Sequence, residues 1–163
     1  MKRLCALTLM TGALACAAFA VNEDSRAFTS SGAFFALSVS DIAASARWYE
    51  DKLGLKVIAK PPRSGPADVM VLEGNGLIVE LIQHDEAVPR DRLLPAVDDA
   101  FRVHGYFKAG LIVKDFDATL AALRTRGVEI AYGPYPAREG QRANVIIRDN
   151  AGNLIQFFGS APG

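Results

Sequence analysis

Beyond residue 16 the chain contains no cysteine, since Cys5 and Cys16 are its only two. Residues 17–163 can therefore form no disulfide and offer no thiol nucleophile. Charge of one sign is also missing: 18 basic residues face 18 acidic ones. Without a basic run, the electrostatic footprint of a nucleic-acid partner is absent. No Ser-His-Asp arrangement and no phosphate-cradling glycine loop stands out. Stability must then come from an apolar core. With half of the 163 residues hydrophobic, a single domain of ordinary size can build one.

The first twenty residues have a different character. Lys2 and Arg3 make a short basic start, residues 4–16 are apolar, and Ala18-Phe19-Ala20 fits the small-x-small cleavage pattern. These features predict a secretory signal peptide over residues 1–20; the apolar run is short for a membrane span. The expectation is therefore an exported protein, periplasmic or secreted, without membrane attachment after leader removal. Lipidation at Cys16 is the weaker alternative, because Ala13 stands where leucine is expected. Removing Lys2 and Arg3 leaves 16 basic against 18 acidic residues. Residues 21–32 are polar and small and read as a flexible tether.

A single domain is expected over residues 33–160. Residues 143–158 organise it: two apolar runs flank the polar turn Asp149-Asn150-Ala151-Gly152-Asn153, which predicts a hairpin. In its last strand Leu154, Gln156 and Phe158 share one face, and Ile155 and Phe157 the other. Gln156 is a lone polar group in an apolar strand. Residues 69–82 form a similar hairpin across Gly74-Asn75-Gly76, with Glu80 as its polar group. Before it, residues 33–39 read as a strand, with Asp41 capping a helix that ends at Gly54. A strand comes next over 55–60. Residues 107–113 repeat the first strand, Asp115 the cap, Gly127 the helix stop, and 128–132 the next strand, before a loop over 133–141. Module one thus spans 33–84 and module two 104–160. Pro89 and Pro95 interrupt the linker 85–103, where a short helix could lie.

Val39-Ser40-Asp41-Ile42-x-Ala44-Ser45 matches Val113-Lys114-Asp115-Phe116-x-Ala118-Thr119 at a constant offset of 74 residues. Such a match indicates duplication of a strand–helix–three-strand unit. The order βαβββ-βαβββ, with Trp48-Tyr49-x-x-x-Leu53-Gly54-Leu55 and Arg148-Asp149-Asn150-x-Gly152-Asn153-Leu154-Ile155, resembles the vicinal oxygen chelate superfamily of glyoxalases, bleomycin-resistance proteins and dioxygenases. The resemblance implies an α+β fold of two paired βαβββ modules, a curved mixed sheet around a cavity, and helices outside.

In the enzymes of that superfamily a divalent metal is held by side chains from the first and last strand of each half, usually His, Glu or Gln. The matching positions here are Phe34, Glu80, Lys108 and Gln156. Phenylalanine has no lone pair to give, and a lysine ammonium has donors only. The expectation is a cavity that works without a metal cofactor. The alternative is a divalent ion on Glu80, Gln156 and His104, or on His84, His104 and Glu80. Lys108 is an isolated charge in an apolar strand, expected to meet Glu80 directly or through water. Its ammonium could then bind a carboxylate or enolate, or stabilise an oxyanion. A structural ion pair, or a Lys108 whose stem snorkels to solvent, is the competing reading. Tyr106, Arg142 and Asn144 are further ligand-binding candidates. Trp48 and Tyr49 read as core, and Asp41 and Asp115 as caps. Three function classes compete: a metal-independent binder of a small anionic or carbonyl-bearing molecule, a metal-dependent glyoxalase-type lyase or isomerase, and a dimeric interaction module joined through an exposed strand edge.

Overall fold

Among the described residues the alternation of apolar and polar residues builds eight strands, and two capped stretches build the main helices. The computed structural model describes residues 34–97 and 102–160, all within the unit Gly32–Gly163. The expected leader and tether lie outside the described residues. The first module runs β1 (Phe34–Ser38), α1 (Ile42–Trp48) continued by a π-helical turn (Tyr49–Leu53), β2 (Lys56–Ala59), β3 (Ala67–Gly74) and β4 (Leu77–His84). Among the described residues of the linker, α2 (Arg90–Leu93) makes one helical turn. The second module runs β5 (Ala109–Val113), α3 (Phe116–Thr125), β6 (Glu129–Tyr135), β7 (Asn144–Arg148) and β8 (Leu154–Gly159). No helix among the described residues is long and apolar enough to cross a membrane.

The strands form two four-stranded sheets, ordered β1-β4-β3-β2 and β5-β8-β7-β6. Each is mixed. β1 pairs parallel with β4 and β5 parallel with β8; the remaining pairs are antiparallel. The two modules therefore share one topology, as duplication requires.

The caps explain where the helices start. The Asp41 carboxylate accepts from the Ala44 N–H at 2.8 Å, and Asp115 accepts from Ala118 at 2.9 Å. Each satisfies an amide that the first helical turn would leave open. Gly54 ends the first helix in the left-handed region at φ 73°. The offset of 74 equates Lys52 with Arg126, but Gly54 matches Gly127, one residue short. The π-helical turn absorbs that extra residue, since a π turn is a helix carrying a one-residue insertion.

The core lies where each sheet meets its helix. Leu77, Val79 and Leu81 alternate inward from β4, joined by Leu37, Tyr49 and Leu53; Ile155 and Phe157 do the same from β8, with Val145, Ile147 and Leu123. One cluster spans both modules. The opposite faces carry Glu80, flanked by Ala36 and Val71 in register, and Gln156, flanked by Gly110 and Ile146.

The first hairpin is longer than expected, from Ala67 to His84, and two further boundaries differ. β5 begins at Ala109, so Phe107 and Lys108 precede the strand: the ladder with β8 starts at the Ala109–Ile155 pair, and among the described residues β5 has no neighbour on its other side. β6 runs on to Tyr135 through Pro134, into the expected loop. Pro134 fits because β6 is an edge strand and its pairing is irregular between Tyr132 and Tyr135.

Candidate functional site

The modules are fastened by polar contacts that join residues distant in sequence. Tyr49 is fully buried, and its hydroxyl donates to Asp149 Oδ2 at 2.9 Å. Burial, and then the neighbouring carboxylate, push the phenol pKa well above its usual value. Asp149 is itself buried: Oδ1 accepts from Ala151 and Asn153 amides at 2.9 and 2.8 Å, and Oδ2 from Asn153 Nδ2 at 2.9 Å. Nearby, Asn150 Nδ2 donates to Ser45 Oγ at 3.2 Å. A second pair is reciprocal. Lys52 Nζ donates to the Arg126 carbonyl, and Arg126 Nη1 donates to the Lys52 carbonyl at 3.1 Å. Residues equivalent in the two modules thus bind each other's main chain, as two halves related by a local two-fold would.

Beside this seam lies a half-open cavity of about 720 Å³, within the range of small-molecule sites. Its walls are β5, the Thr119, Ala122 and Leu123 side of α3, the end of the π-helical turn with Leu55, and the β3–β4 turn from Gly74 to Leu77. Phe34, Phe35, Tyr106 and Phe157 add rings. Lys52, Lys108 and Arg126 line it as well, and among the described residues no acidic side chain does. Tyr106 is 70% exposed and Phe34 64%, so both stand at the opening rather than in the core. The Lys108 ammonium sits 5.6 Å from the centroid of the Phe107 ring, within cation–π range.

A sequence profile of the Glyoxalase/Bleomycin resistance protein/Dioxygenase superfamily matches residues 33–157. The chain belongs to that superfamily. No curated protein matches it significantly. Among solved structures, a glyoxylase/bleomycin resistance protein/dioxygenase domain from Frankia sp. EAN1pec superposes with a TM-score of 0.65 at 20% identity, covering 83% of this chain and 96% of its own. An antibiotic binding protein from Streptomyces sp. CB03234 gives 0.57 at 21% identity, with 82% and 98% covered. A glyoxalase I mutant from Zea mays gives 0.57 at 18% identity, with 78% and 44% covered. At such identities the likeness establishes the shared fold.

The superfamily's metal positions can then be tested on this chain's own side chains. Phe34 and Lys108 line the cavity, while Glu80 and Gln156 lie on the coreless faces of two different sheets. No ion pair joins Lys108 to Glu80 among the described residues. The expected direct contact is not formed, because Lys108 precedes its strand and Glu80 projects from the middle of β4. Gln156 is buried at 8% exposure, and its Nε2 donates to Asn144 Oδ1 at 2.9 Å. Asn144 Nδ2 in turn donates to the Arg142 carbonyl at 3.2 Å. Gln156 and Asn144 thus form a polar pair on the second sheet, tied to the Arg142 main chain, and none of the three lines the cavity. Two of the four positions have no electron pair to offer, and Glu80 and Gln156 alone are too few for a well-held transition metal. The donor set does not fit the superfamily's metal.

The displaced site does not assemble either. Among the described residues no three His, Cys, Asp or Glu side chains converge, so His84, His104 and Glu80 are not gathered. His84 Nδ1 accepts from the Glu86 amide at 3.1 Å, and His104 is exposed. Trp48 and Tyr49 pack as core, as their helical spacing predicts. Sequence reasoning missed Asp149, Lys52 and Arg126. Asp149 lies in an obvious turn, but its burial depends on a helix 100 residues away. The only sequence signal for Lys52 and Arg126 was their equivalence under the repeat.

Proposed function

We propose that the mature chain is an exported, metal-independent binder of a small anionic or carbonyl-bearing molecule. The observation that carries this reading is the charge of the cavity: among the described residues, three cations, four aromatic rings and no carboxylate line about 720 Å³. A low-dielectric wall strengthens the attraction of each cation for an anion, while the rings bury an apolar body. The donor set Phe34, Glu80, Lys108 and Gln156 supports operation without an ion. The leader-like residues 1–20 support export. The Streptomyces protein of the same fold, which binds an antibiotic, makes small-molecule capture a use to which this architecture is put.

The test is titration of the purified mature protein with anilinonaphthalene sulfonate, an anionic aromatic dye, with and without a chelator. Saturable binding that the chelator leaves intact and that Lys108→Met weakens about tenfold, roughly 1.4 kcal/mol, supports the reading. Stoichiometric tightly bound metal, with binding or lyase activity lost on chelation, overturns it in favour of the glyoxalase-type enzyme.

A further inference from the structure

The two modules are not equally filled where they meet. α1 and its π-helical turn carry Ser45, Trp48 and Tyr49, and the offset of 74 puts Thr119, Ala122 and Leu123 at the equivalent places on α3. On the first helix that seat holds two rings. The Trp48 and Tyr49 rings meet edge to face with centroids 5.0 Å apart. The turn 149–153 supplies Asp149 to the Tyr49 hydroxyl and Asn150 to Ser45. Facing α3 is the much shorter turn Asn75-Gly76, with positive φ at both residues. Such a turn closes a hairpin in two residues, and the Asn75 amide is directed to the Leu53 carbonyl at 3.0 Å. An indole has become a methyl group, a phenol has become an isobutyl group, and the opposing turn is three residues shorter. The cavity is the space that these three reductions leave.

We infer that this unfilled equivalent of the Trp48–Tyr49 seat is the ligand site, and that it takes a flat apolar body bearing an anionic group. The inference rests on the small-molecule reading above and locates it between β5 and α3, with neither Glu80 nor Gln156 in the lining. The missing bulk is aromatic, so the vacancy has the dimensions of fused or linked rings. Lys52 and Arg126 are pinned beside it by their mutual main-chain bonds. An ammonium has three donors and a guanidinium five, so both keep hydrogens to offer, and no carboxylate among the described residues lines the cavity to compete for them.

The experiment puts back the residue of the other module. Ala122→Trp fills the cavity from the helix side, next to Leu123. Binding of anilinonaphthalene sulfonate and of its uncharged relative N-phenyl-naphthylamine is measured on the mature protein, with thermal unfolding and sedimentation in parallel. The expected result is a loss of about tenfold or more for both dyes with the unfolding temperature kept or raised, while Glu80→Gln and Gln156→Leu bind as wild type. Arg126→Gln, an exposed change, reads the same site from its rim without relying on the packing at residue 122. It should weaken the sulfonate several-fold and leave the uncharged dye unaffected. Unchanged binding in Ala122→Trp with loss in Gln156→Leu overturns the assignment but preserves the small-molecule reading. A wild-type protein that binds neither dye saturably overturns both. Dissociation of a dimer by Ala122→Trp with dye binding retained assigns the cavity to a second copy of the chain and overturns the inference. Should Ala122→Trp not fold, equal sulfonate affinity in Arg126→Gln and wild type overturns it.

Discussion

Tyr49→Phe isolates the contact that ties the first helix to the last hairpin. The ring stays in its fully buried seat, and only the hydroxyl is lost. Asp149 is not orphaned, because its Oδ2 keeps Asn153 Nδ2 and its Oδ1 keeps two amides. The loss is therefore one buried hydrogen bond to a charged group, about 1.5–2 kcal/mol, the low end of the range for such bonds. For a domain of this size that lowers the unfolding temperature by roughly 5–8 °C. Urea denaturation followed by circular dichroism gives the free energy. A cycle with Asp149→Asn should show a coupling of about 1 kcal/mol or more. The pH dependence supplies a second readout. The folded state holds the Tyr49 proton above the ordinary phenol pKa of 10.0, whereas the unfolded chain releases it there. Stability from this group is whole below that pH and is lost above it, by about 1.4 kcal/mol per pH unit. The variant has no such proton, so its gap to wild type should narrow as pH rises past 10. A gap under about 0.5 kcal/mol at neutral pH, an additive cycle, or a gap that stays constant into alkali would refute the reasoning.

Other perturbations test other joints. Asp115→Ala removes the cap of α3 and should cost about 1 kcal/mol in urea unfolding, with dye affinity little changed. Gly74→Ala would bring a Cβ to 3.0 Å from the Gly54 carbonyl oxygen and 3.2 Å from Leu55 Cα. Both are backbone, so a loss of about 1–3 kcal/mol is expected, and a neutral result would show that the β3–β4 turn moves freely. Trp48→Ala vacates the seat equivalent to the cavity. It should lower stability by about 2–3 kcal/mol, below the cost for a fully buried tryptophan, and add a second equivalent of dye binding. A single equivalent in that variant would show that the hairpin turn 149–153 alone closes the space.

Local chemistry was legible in the sequence. Asp41 and Asp115 announce their helices because a cap needs only the three residues after it, and the alternation in residues 154–158 places Gln156 correctly against Ile155 and Phe157. The repeat was legible because its two copies kept the same cap and the same helix stop. Lys108 was placed on the wrong side of a boundary. An edge strand starts where its single neighbour begins to pair, and that neighbour lies far along the chain. A cavity was expected, and Phe34, Tyr106 and Lys108 do line it, but its place between the modules could not be read. It is a difference between two seats, each assembled from one module's helix and the other module's turn. Ala122 and Gly76 look like an ordinary helix residue and an ordinary turn residue until both are set beside Trp48 and the turn 149–153.

The bond between Tyr49 and Asp149 also fixes an order of events. A ribosome that has released the first helix has about another hundred residues to make before the carboxylate for its phenol exists. Until then the aromatic seat is open on the side that the last hairpin will cover. The half made first therefore waits on the half made last, and the final turn of the chain is where the molecule closes.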